Sequence, residues 1–138
     1  MVLGGGCGTV SKGKGTQPVT ILGAWRLVYQ QSNGQKMPDE KTASRLSGRM
    51  FFSEERMHYT VELVGFDYEF AYRINPATQP ATIDLELLNT PDGARQQARG
   101  IYELTEKSLK LCYSTEARPK GFTAEKGSSN WLLVLKRI

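Results

Sequence analysis

The chain has 138 residues, a length that suits one domain and leaves little room for two. Its 18 basic and 14 acidic residues give a net charge of +4. They alternate in stretches such as Asp39-Glu40-Lys41 rather than forming the basic stripe of a nucleic-acid binder. The longest apolar run, Trp131–Leu135, is far too short to span a bilayer, and one histidine with two distant cysteines argues against a metal site.

Residues 1–19 read as a flexible tail, because Gly, Ser and Lys bury too little apolar surface to offset the cost of ordering. Cys7 follows small residues in "VLGGGCG", as at the end of a lipoprotein signal. No charged and hydrophobic stretch precedes it, so the compartment stays open between cytoplasm and export. From residue 20 to 138 the apolar pattern has a period of two. Turn signals such as Asn33-Gly34, Ser53-Glu54-Glu55, Asn75-Pro76 and Pro91-Asp92-Gly93 divide it into eight expected strands. These cover about residues 20–31, 45–52, 56–63, 67–74, 81–89, 95–104, 108–114 and 130–137. Only Met37–Leu46 has the make-up for a turn or two of helix.

Eight short antiparallel strands with little or no helix predict an all-β sandwich or barrel, and closure into a barrel removes the exposed edges. In the first strand Trp25 is the expected plug of one end, where its burial is worth about 4–6 kcal/mol gross. Gly23 lies on the same face and leaves room for a close neighbour. A guanidinium from the last strand, Arg137, is expected to stack on the indole, with Lys136 as the alternative.

Gly23-Ala24-Trp25 resembles the G-x-W motif on the first strand of lipocalins and their calycin relatives. The order "GAW…P-ATIDL…GIYEL…LKLCY…RPKGF…LLVLKR" is similar to a small, uncharacterised lipocalin-like domain of planctomycetes and related bacteria, over residues 21–138. The resemblance implies an eight-stranded antiparallel up-and-down barrel with the Trp packed under a basic residue from the chain's far end. Classical lipocalins also carry a C-terminal helix against the barrel; here the chain stops at the last strand, so that side is packed differently or left open.

The candidate chemistry is sparse. His58 is the sole imidazole, and no nucleophile is set beside it by motif. Asp84 and Glu86 are paired carboxylates, roughly 7 Å apart by strand rise and within glycosidase spacing. Asp67 and Glu69 repeat the pattern, as outward barrel faces do. The tyrosines Tyr29, Tyr72, Tyr102 and Tyr113, with Trp131 and Phe51 or Phe52, ring the expected barrel, where an inward hydroxyl needs a partner or a ligand. Arg118, before Pro119 in the last loop, either receives an anionic group at a rim or ties its loop to a carboxylate.

The leading expectation is non-catalytic binding of a small apolar or amphipathic molecule in the barrel mouth, oriented by Tyr29, Tyr72, Tyr102, Tyr113, Arg118 and Trp131. Neither a cofactor nor nucleic acid is expected. The alternatives are a protein-interaction module with a filled barrel, and a calycin-type isomerase or cyclase in which His58, Glu103 or Asp84 faces inward.

Overall fold

Period-two alternation gives each strand one apolar and one polar face, and rolling the sheet shut buries the apolar faces against one another. The computed structural model describes residues 19–36, 41, 48–62, 65–89 and 96–138. Its strands are β1 (Gly23–Ser32), β2 (Gln35–Lys36), β3 (Gly48–Phe52), β4 (Arg56–Val61), β5 (Phe66–Asn75), β6 (Ala81–Leu87), β7 (Gln96–Leu104), β8 (Ser108–Ser114) and β9 (Asn130–Arg137). From β1 through β3 to β9 each strand pairs antiparallel with the next, and β9 pairs back onto β1. The protein is therefore an all-β, eight-stranded, up-and-down closed barrel. The two-residue β2 extends β1 as a hairpin across the Asn33-Gly34 turn.

Two expected strands, 108–114 and 130–137, coincide with β8 and β9, and the others differ by up to three residues at their ends. The helix expected within Met37–Leu46 and the tail up to Pro18 lie outside the described residues, Lys41 apart.

The interior holds one apolar core to which β1, β3, β4, β6, β7, β8 and β9 all contribute buried side chains. Trp25, Leu27, Ile83, Leu109, Leu111 and Leu135 are wholly inaccessible, and Met50, Phe52, Met57 and Leu133 are nearly so. Where the chain lacks a side chain, the barrel uses the space. A Cβ on Gly100 would stand 2.7 Å from the Cys112 carbonyl oxygen and 2.9 Å from Tyr113 Cβ.

One irregularity reverses the alternation of β1. Leu27 pairs with Leu135 but Tyr29 pairs with Val134, so Val28 is an extra residue and marks a β-bulge. Before the bulge Trp25 and Leu27 face inward. After it, Tyr29 faces outward and packs with Ile101, Cys112, Ala124, Leu132 and Phe122. This second, smaller cluster lies between the outer barrel wall and the β8–β9 connection, residues 115–129. Several bonds hold that connection down: Gly34 N to Ala124 O (2.7 Å), Gly127 N to Asn33 Oδ1 (2.8 Å), and Asn130 Nδ2 to Thr123 O (3.0 Å). The connection thus covers outer wall contributed by β1, β7, β8 and β9.

Candidate functional site

The barrel has two unlike ends. At one, Gly23, Trp25 and Arg137 come together. Trp25 Nε1 donates to Ile21 O at 2.9 Å, and the Arg137 guanidinium lies 4.1 Å from the indole centroid. Arg137 Nε, Nη1 and Nη2 donate to Glu106 O (3.0 Å), Leu22 O (2.9 Å) and Thr20 O (2.7 Å). A guanidinium presents several donors in one plane, so it holds the segment before β1 and the β7–β8 turn at once. Gly23, at φ +115°, has Arg137 Nη1 where a Cβ would approach to 3.3 Å.

At the other end the inward positions are aromatic. Tyr59 on β4 lies directly opposite Tyr68 on β5, and Tyr113 on β8 is close enough for both phenols to act on it electrostatically. Burial pushes the Tyr59 phenol up to about 12. For Tyr113 burial is again the main cause of a rise, with Tyr59, Cys112 and Tyr68 adding to it. Neutral phenols are therefore held at physiological pH. The Tyr59 and Tyr113 hydroxyls have no hydrogen-bond partner among the described residues. Tyr113 is partly buried and packs against the core.

The residues singled out from the sequence are spread over the molecule. Tyr113 stands in the tyrosine-lined end. Trp131 is its cross-strand neighbour, shares the inward register of Leu133 and Leu135, and is 41% exposed. Tyr72 and Tyr102 also face inward, but at the Trp25 end, where the Tyr72 hydroxyl donates to Ser53 O. Tyr29 is outside the barrel because of the Val28 bulge. Arg118 is on the outer wall, with Nη2 2.7 Å from Asp84 Oδ1 and Nη1 2.8 Å from Gly100 O. Of its two expected roles, the tie to a carboxylate is the one present.

His58, Glu103 and Asp84 all face outward. His58 Nε2 is 4.0 Å from Glu69 Oε2, with the imidazole 52% exposed, and Glu103 pairs with Lys110 at 3.6 Å. Asp84 is occupied by Arg118, which separates it from any joint role with Glu86. The Cys112 thiol is wholly buried in the outer cluster, bonded to Thr123 O, and burial pushes it up.

Two residues of the tyrosine-lined end, Tyr59 and Tyr68, were not singled out from the sequence. Their signal is present: Met57, Tyr59 and Val61 alternate inward on β4, and Tyr68, Phe70 and Tyr72 on β5. Among the described residues no group of three or more His, Cys, Asp or Glu side chains is placed to hold a metal ion. No helix among them is long and apolar enough to cross a membrane. Compared with known proteins, the chain matches no family model, no curated protein and no solved structure.

Proposed function

We propose that this protein is a lipocalin-like binder that takes a small apolar or amphipathic molecule into the tyrosine-lined end of its barrel, without catalysing a reaction. The observation that carries the reading is the gathering of inward phenols at this end, Tyr113 with Tyr59, whose hydroxyls no described residue satisfies. A buried phenol without a partner costs free energy that a ligand's polar group recovers. Phe70, Leu85, Leu87 and Ala98 on β5, β6 and β7 supply apolar wall, and Tyr59 supplies a further hydroxyl. Such a mixture, mostly apolar with a few polar groups, is the usual make-up of a small-molecule site. The Gly23, Trp25 and Arg137 arrangement supports kinship with lipocalins as well as fold.

The test is titration with the apolar fluorophore 1-anilinonaphthalene-8-sulfonate, alongside organic extraction of the purified protein and mass spectrometry of the extract. Leu87→Trp, at the inward edge of that end, is expected to weaken fluorophore binding at least about tenfold, equivalent to roughly 1.4 kcal/mol, with the melting temperature held. Binding that Leu87→Trp leaves unchanged removes the proposal. A second reading, an interaction module, draws on the exposed Phe51 (53%) and Ile138 (65%) at the Trp25 end. It predicts an empty extract and no stoichiometric fluorophore binding. The isomerase or cyclase reading loses its candidates, since His58, Glu103 and Asp84 point away from the interior.

A further inference from the structure

The strands that build the tyrosine-lined end keep their charges on the outer face. His58, Asp67, Glu69 and Glu86 all fall on the outward parity of β4, β5 and β6, alternating with the inward Tyr59, Tyr68 and Leu87. Among the described residues, none of the inward strand positions at this end is Asp, Glu, Lys, Arg or His. Besides the phenols, the polar ones are Gln30 and Ser32, opposite Leu133 and Trp131, and Gln96, opposite Leu87. The cation of inward parity, Arg137, is at the far end, stacked on Trp25 and bonded to backbone carbonyls.

A wall that is polar but uncharged sets two conditions on an occupant. A carboxylate or ammonium drawn to Tyr59 or Tyr113 gives up its hydration and meets no opposite charge. A hydrocarbon gives up nothing, but it leaves both hydroxyls without partners. A neutral oxygen, as in a ketone, an ester or an alcohol, accepts the same phenol hydrogen bonds and loses far less hydration than an ion. Burial pushes the Tyr59 phenol up to about 12, so at neutral pH it keeps the proton it donates.

We infer that the occupant of the tyrosine-lined end is an uncharged molecule: an apolar body carrying a neutral hydrogen-bond-accepting oxygen, to which Tyr59 and Tyr113 donate. This rests on the binding function proposed above and narrows it, setting carboxylates and amines aside as a class.

The test uses four probes on one ring system: 2-acetylnaphthalene, 2-ethylnaphthalene, 2-naphthoate and 2-naphthylmethylamine. Binding is followed by backbone amide shifts of the full chain. The ketone is expected to bind at least about tenfold more tightly than the naphthoate or the amine, with shifts concentrated on residues 57–61, 68–70 and 111–113. It is also expected to bind at least about threefold more tightly than the ethyl compound, although transfer from water alone favours the hydrocarbon. Tyr59→Phe combined with Tyr113→Phe keeps both rings and is expected to reverse that last order, with both neutral probes still bound, which also checks that the variant folds. A charged probe that binds at these residues as tightly as the ketone overturns the neutral selectivity and leaves the binding function standing. So does an ethyl compound that binds more tightly than the ketone, or a ketone preference that survives the double Phe variant. Failure of all four probes to bind there overturns the binding function as well.

Discussion

The two ends of the barrel spend similar residue types in opposite ways. At the Trp25 end an indole N–H and the guanidinium donors of Arg137 all reach backbone carbonyls, and the two side chains stack. At the other end the hydroxyls of the partly buried Tyr59 and Tyr113 have no such partners among the described residues. Satisfied polar groups rigidify a core, while unsatisfied ones cost stability unless something else meets them. The contrast marks the stapled end as the one whose polar groups are satisfied and the tyrosine end as the one where phenol hydroxyls are left over.

Substitutions can break that contrast. The largest effect belongs to Trp25→Ala, expected to cost about 3–5 kcal/mol in denaturant unfolding as a fully buried aromatic truncated. A loss under about 1 kcal/mol would mean that the indole is not the plug. Arg137→Ala should follow, at about 2–3 kcal/mol for the lost stacking and hydrogen bonds. Lys136→Ala is expected to stay below about 1 kcal/mol, and equality between the two would shift the staple to Lys136.

Tyr113→Phe sharpens the comparison from the other side. Without ligand, removing an unpartnered hydroxyl should change stability by less than about 0.5 kcal/mol or raise it. A clear loss would show that the hydroxyl serves the fold. Alkaline titration tests the same end. The Tyr59 phenol sits at about 12 in the folded chain against 10.0 ordinarily, so above pH 10 the unfolded chain releases its proton first. Stability is then full below pH 10 and falls as pH rises through 12, and Tyr59→Phe should make that fall shallower. The smallest effect is expected for deletion of residues 1–18, which should leave the melting temperature nearly unchanged.

Much of the fold was legible in the chain. Period two in "TIDLELLN" and "SLKLCYS", with turn residues at regular spacing, is local information, so strand positions followed from it. The Trp25 and Arg137 pairing was legible for a different reason: a large aromatic near one terminus and a cation near the other, in a barrel whose first and last strands must meet. The candidate site was less legible. Tyr29 shares the parity of Trp25 and Leu27, and only the extra residue Val28 turns it outward. Arg118 carries no mark that selects Asp84, 34 residues away in sequence, over a ligand at a rim.

What the sequence by itself determined is therefore the all-β class, the number of barrel strands and which face of most of them is apolar, because each depends on neighbours within a few residues. The tertiary structure alone decided which tyrosines meet. Strand register and one bulge set their height and direction around the barrel, and these depend on cross-strand pairing between residues far apart in the chain. Tyr59, Tyr68 and Tyr113 converge at one end, and Tyr72 and Tyr102 at the other. No local pattern in the chain distinguishes one group from the other.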